Sequence, residues 1–291
     1  MTFLGKHLNI RQALSRWGGT ATPEVTCTVP SQGCIIGIGH SHVMSWVYAQ
    51  QARVESGRPI ATHLHWILLQ DEEFQPNVVS SGGRMVLNSA VRRRLDKELA
   101  SLRETPPFLC TSISGNEYFY VGLTEHPRPF DFSLPGRPDL EVRSGVQIIA
   151  PSLMQKTLER SIEHSLSIMS ALRAATDLPI VFVQSPPPMP SNDFIREHPG
   201  PFREAIEENG VAPAALRMKF WLLQSAIYRQ RSDELGFRYL GIPEETVDAA
   251  GFLQEVGSWP DSVHANPWYG EFVLRQIESL FRRQQAAEVT R

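Results

Sequence analysis

Apolar residues along this chain fall into two kinds of pattern. Short unbroken runs, rich in β-branched or aromatic side chains and bounded by Gly, Pro or polar residues, lie at Cys34–Ile38, Leu64–Leu69, Phe108–Ile113 and Pro179–Val183, with a weaker fifth at Phe237–Ile242. Runs of this kind predict strands buried on both faces. Between them, apolar residues recur every three or four positions, as in Val91-Leu95-Leu99-Leu102, Ile162-Leu166-Met169-Leu172, Leu216-Phe220-Leu223-Ile227 and Phe272-Val273-Ile277-Leu280. That spacing predicts amphipathic helices. Strands alternating with helices imply right-handed crossovers and an α/β fold with a mainly parallel five-stranded sheet covered on both faces.

The 291 residues suffice for one large domain. No internal repeat is visible, and the Pro-rich piece Ser185–Pro190 directly follows a strand, so it reads as a rigid turn above the sheet rather than a linker. The stretch 124–145, rich in Pro, Gly and charge, is the best candidate for a lid or an insertion. A single domain, with its core between about residues 34 and 281, is the economical reading.

Composition narrows the function classes. With 42% apolar and 20% charged residues, the chain has the balance of an ordinary globular protein, and a net charge of −3 gives no basic footprint for nucleic acid. Arg92-Arg93-Arg94 lie on a predicted helix and read as a solvated face. Cys27, Cys34 and Cys110 are too few and too scattered for a disulfide framework or a metal clip, which suggests free thiols in a reducing compartment. Neither a signal-peptide-like apolar stretch nor a membrane span appears, so a cytoplasmic location is expected.

In an open parallel sheet, ligands bind beyond the carboxyl ends of the strands. The first strand is followed there by Gly37-Ile-Gly-His40-Ser41-His42, and the second, at some distance, by Ser80-Ser-Gly82-Gly83. The third leads into Ser114-Gly115-Asn116-Glu117, and Asp261-Ser-Val-His264 lies shortly before the final helix. A serine hydroxyl needs an adjacent base, imidazole suits that task near neutral pH, and a carboxylate fixes its tautomer. Asp261 and His264, three apart, can be held side by side by one turn of backbone. Backbone N–H groups at Ser41 and at Gly82 or Gly83, with the Asn116 amide, supply candidate oxyanion donors. His40, His42 and Glu117 are candidate substrate-binding residues beside them.

In these four blocks the sequence resembles the SGNH hydrolases, the GDSL-like esterase and lipase superfamily, over roughly residues 34 to 281. The resemblance implies a three-layer α/β/α flavodoxin-like fold and hydrolysis or transfer of ester-linked acyl groups, often acetyl groups on glycans or lipids, without a cofactor. It also implies Ser41 as nucleophile, His264 as base, Asp261 as its orienter and Asn116 in the oxyanion hole. Two departures stand out: His40 occupies the place of the family's Asp before the serine, and the third block reads Ser-Gly-Asn-Glu rather than Gly-x-Asn-Asp.

Other readings of the same residues remain open. His40/His42 and His63/His65 are both His-x-His, and on a strand such a pair shares one face, so a metal-dependent hydrolase with Asp261 or His264 as a further ligand is the alternative enzyme. A non-catalytic binding module on the same fold is a third class. A dinucleotide loop is disfavoured, because Gly37-x-Gly39 lacks the third glycine and position 42 is His. Asp261 alone reads equally as a helix cap, and Asn116 as a turn residue. The aromatic residues Trp46, Tyr118, Phe119, Tyr120, Trp259, Trp268 and Tyr269 are candidates either for an acyl or sugar pocket or for the core.

Overall fold

A computed structural model describes residues 34–58, 60, 62–102 and 107–289; Cys27 and the rest of the N-terminal segment considered above lie outside them. Strands β1 (Cys34–Gly39), β2 (His63–Leu68), β5 (Phe108–Ser112), β8 (Ile180–Val183) and β9 (Arg238–Leu240) form one sheet in the order β2-β1-β5-β8-β9, every pairing parallel. This is the three-layer flavodoxin-like arrangement that the resemblance implies. The unbroken apolar runs have their physical reason here: Ile35, Ile36, Ile38, Leu109 and Cys110 are wholly buried because helices cover both faces. Phe237–Ile242 contributes only a short edge strand.

The predicted helices appear as α2 (Ser89–Ser101), α5 (Glu163–Ala175), α8 (Ala214–Leu235) and α9 (Pro267–Val289). Two further helices of more than ten residues escape the periodicity argument: α1 (Val43–Glu55) and α4 (Pro151–Ser161). In α1 the reason is burial on most sides, since Val43, Met44, Ser45, Trp46, Val47, Ala49 and Gln50 are all covered and leave no polar face to mark a period.

Helix α1 is locked to α9. A Cβ on Gly270 would lie 2.0 Å from the Ser45 carbonyl oxygen, so only glycine permits this approach. Beside it, the buried Arg53 guanidinium donates to Glu271 at 2.8 Å and to Glu278 at 2.5 Å. Helix α1 follows Ser41 and helix α9 follows His264, so this contact sets the distance between the two residues.

One organisational expectation changes. Residues 80–83 do not form a loop at the end of β2. They belong to a separate antiparallel hairpin, β3 (Val78–Ser81) and β4 (Arg84–Leu87), with Gly82 (φ +57°) and Gly83 (φ +77°) as its two-residue turn. Positive φ at both turn residues is the primed geometry that Gly-Gly provides. The stretch 124–145, expected as a lid or an insertion, is fastened to the body. It contains β6 (Phe130–Asp131), which pairs with β7 (Gln147–Ile148), and the Lys219 ammonium of α8 donates to Asp131 at 2.8 Å and to the Glu141 carbonyl at 2.9 Å, with both charged side chains buried.

Candidate active site

The strand order reverses at β1, whose two neighbours are β2 and β5, and the carboxyl ends of β1 and β5 open onto that switch point. Ser41 stands immediately beyond β1. The N–H groups of Val43 and Met44 bond the carbonyls of His40 and Ser41, so the serine sits in the opening turn of α1, where the leading backbone N–H groups lack helical partners.

His264 reaches the same point from 223 positions away, its Nε2 lying 2.9 Å from Ser41 Oγ. On the other side of the ring, Nδ1 lies 3.0 Å from Asp261 Oδ2. The other Asp261 oxygen accepts from the backbone N–H groups of Val263 at 2.8 Å and His264 at 2.7 Å, so the carboxylate is held by its own loop as well as by the ring. Burial works to raise the Asp261 carboxyl, but the His264 ring and these N–H groups outweigh it and hold it below the usual range. The helix-cap reading passes to another residue: Asn266 Oδ1 accepts from Trp268 N at 2.9 Å at the head of α9. Since β1 and the 261–264 loop share one rim, serine, imidazole and carboxylate fall into a line.

Asn116 lies on the same rim, at the start of α3 (Glu117–Gly122). The turn that carries it is over-determined. Ser114 (φ +51°) and Gly115 (φ +105°) both take left-handed backbone, and a Cβ on Gly115 would come within 2.6 Å of Ser185 Cβ. His40 Nδ1 accepts from Ser114 N at 3.0 Å. Gln224 of α8 grips both sides of Asn116, donating to the Gly115 carbonyl at 3.0 Å and accepting from Tyr118 N at 2.8 Å. Sequence reasoning overlooks Gln224, although a polar residue beside Leu223 on the buried face of a helix is the kind of signal that marks such a clamp.

Several expected roles require correction. Gly82 and Gly83 are exposed at the hairpin turn with open space around them, and no hydrogen bond links either to Ser41, Asn116 or His264 among the described residues. Their positive φ serves the hairpin. Glu117 turns inward instead of toward a substrate: Oε2 accepts from Gly115 N at 2.9 Å, and Oε1 from Ser165 Oγ at 2.9 Å. Burial pushes its carboxyl up.

His40 and His42 also face the protein. His40 accepts from Ser114 N, and burial lowers its pKa to about 4. His42 Nε2 lies 2.6 Å from Asn116 Oδ1; burial, with the His264 charge adding to it, lowers its pKa to about 3. The two rings engage different partners, so they do not form a shared ligand pair. His65 is paired with Glu98 at 2.9 Å, and no group of three His, Cys, Asp or Glu suited to a metal gathers among the described residues.

Of the aromatic candidates, Trp46, Tyr118, Phe119 and Tyr269 are core residues, whereas Tyr120 is 71% exposed, with its ring 5.6 Å from that of Phe202. A cavity of about 490 Å³ lies between the end of β8 and α8, lined by Gln184, Trp221, Ser225 and Arg229 among others. None of Ser41, Asn116, Asp261 and His264 borders it, and it holds no nucleophile–base pair.

No protein-family model matches the sequence, and no curated protein is significantly similar to it. Among solved structures, the periplasmic domain of a lipopolysaccharide acetyltransferase from Salmonella ser. Paratyphi A is similar at a TM-score of 0.43 and 13% identity, covering 94% of each chain. A GDSL-like lipase from Bacteroides thetaiotaomicron gives 0.42 and 12%, covering 97% of this chain and 98% of its own. An acetylxylan esterase from Geobacillus stearothermophilus gives 0.36 and 9%, covering 86% and 94%.

Proposed function

We propose that this protein is a serine hydrolase or acyltransferase acting on an ester-linked acyl group. The observation that supports this most strongly is the aligned set Ser41–His264–Asp261, with contacts of 2.9 and 3.0 Å. In this reading the Ser41 oxygen attacks the acyl carbon while His264 Nε2 takes the hydroxyl proton. Asp261 keeps the other ring proton on Nδ1 and offsets the imidazolium charge. The carbonyl oxygen becomes an oxyanion facing the Ser41 N–H, at the positive end of α1, and the Asn116 amide N–H₂. Collapse expels the alcohol, which receives the proton from His264, and leaves an acyl group on Ser41. Water, or a second hydroxyl in a transferase, then repeats the sequence and returns the proton to Ser41.

The SGNH-like order of the first, third and last blocks supports the same reading at Ser41, Asn116, Asp261 and His264, with His40 and Glu117 kept inside the protein. Glycan or lipid esters are the substrate classes the resemblance suggests. The test is labelling with a fluorophosphonate probe, followed by peptide mass spectrometry, and turnover of short-chain aryl esters. Wild type should carry the label on Ser41 and hydrolyse the ester. Equal labelling and turnover by Ser41→Ala sinks the proposal. Activity lost on chelation and restored by zinc instead points to the metal alternative.

A further inference from the structure

An asparagine amide has nearly the same shape in both orientations, and half a turn about Cβ–Cγ exchanges its donor for its acceptor. An oxyanion site needs the donor end, so something must decide which way Asn116 points. The clamps on Ser114, Gly115 and Tyr118 fix its backbone but leave this choice open.

We propose that His42 is a positioning residue, whose Nε2–H donates to Asn116 Oδ1 and so turns the amide N–H₂ toward the oxyanion formed at Ser41. This rests on the function proposed above and deepens it. The bond is 2.6 Å long. The ring itself is held in place: it is 5% exposed, and a Cβ on Gly115 would come within 3.2 Å of its Cδ2. The nearly complete cover keeps the ring from a solvent-borne substrate. The turn that leads into α1 thus carries the nucleophile at one residue and the device orienting its oxyanion donor at the next.

Neutrality suits this role. The His42 and His264 ring centroids are 5.7 Å apart, so a second cation there would oppose protonation of His264 during attack. Burial disfavours the charged form of His42. A neutral ring with its proton on Nε2 supplies the hydrogen bond without that penalty.

The experiment measures the maximal rate of Ser41 modification by a fluorophosphonate, whose P=O oxygen enters the same hole, in parallel with kcat and KM on a short-chain aryl ester. Asn116→Ala should slow both rates by about 10²–10³-fold. His42→Leu, which leaves the amide free to turn, should cost about tenfold in the rates, with KM within about twofold. His42→Gln puts an N–H₂ near the position of Nε2 and should recover most of that loss, whereas His42→Asn is too short and should not. The double variant His42→Leu/Asn116→Ala should be no slower than Asn116→Ala alone, since His42 acts only through Asn116. Circular dichroism and thermal unfolding check that each variant folds; where His42→Leu does not, the Gln and Asn pair decides. Wild-type rates in His42→Leu, equal rates in the Gln and Asn variants, or additive losses in the double variant overturn the inference alone. Full activity in Ser41→Ala overturns the function and this inference together.

Discussion

Acid should destabilise this protein through the two histidines that flank Ser41, and His42→Gln should remove about half of that effect. Folded His42 has its pKa lowered from 6.5 to about 3, and His40 from 6.5 to about 4. Both rings therefore stay neutral in the folded state over a pH range in which the unfolded chain protonates them. More protons bound by the unfolded state means that stability rises with pH across this window and falls on acidification. The contribution is complete above about pH 6.5 and is lost progressively as the pH drops through the window toward the folded values. Between about pH 7.5 and 5, each ring should cost about 2 kcal/mol, or about 4 kcal/mol for the pair. Glu117 acts in the opposite direction, because burial raises its carboxyl, so the comparison of variant with wild type isolates His42. Urea unfolding followed by tryptophan fluorescence at about pH 7.5, 6 and 5 gives the measurement. Over this range wild type should lose about 2 kcal/mol more than His42→Gln. Parallel losses, within about 0.5 kcal/mol, would show that folded His42 accepts the proton freely and that burial does not hold it neutral.

Asp261→Asn keeps the shape of the loop but favours the wrong His264 tautomer, and kcat should fall by about 10⁴-fold with little change in thermal stability. Gly270→Ala drives a methyl group into the Ser45 carbonyl, separating α9 from α1; it should cost about 2 kcal/mol or more in urea unfolding and lower kcat as well. Gly82→Ala and Gly83→Ala strain the hairpin turn by about 1 kcal/mol each and should leave kcat within about twofold of wild type, whereas a large loss in kcat would return these glycines to the oxyanion hole. Lys219→Met strands the buried Asp131 carboxylate and should cost about 3–5 kcal/mol, read as a lower urea midpoint.

Much of the architecture was legible because the sheet is buried on both faces. Such strands need unbroken apolar runs, and these stand out in a sequence whether or not their partners are known. The order of Ser41, Asn116 and Asp261-x-x-His264 was legible for a related reason: each block follows a strand or precedes a helix, and parallel strands bring their carboxyl ends to one rim. Helix α1 was hidden because burial on most sides removed the polar face that reveals a period. The hairpin has a local signal in Gly82-Gly83 between two short apolar stretches, read from the sequence only as a candidate oxyanion block.

What the sequence by itself determined is which residues are candidates for the chemistry and in what order the chain presents them. What only the tertiary structure decided is which way each side chain faces. His40, His42 and Glu117 sit beside the candidate nucleophile and oxyanion donor in sequence, as substrate-binding residues would, yet all three turn inward to fix the turn that carries Asn116. Their direction depends on partners 74 positions away for both histidines and, for the Glu117 carboxylate, on Ser165, 48 positions away. Local sequence holds no record of those partners, because a buried polar group is satisfied by whatever donor or acceptor the packed fold brings within reach.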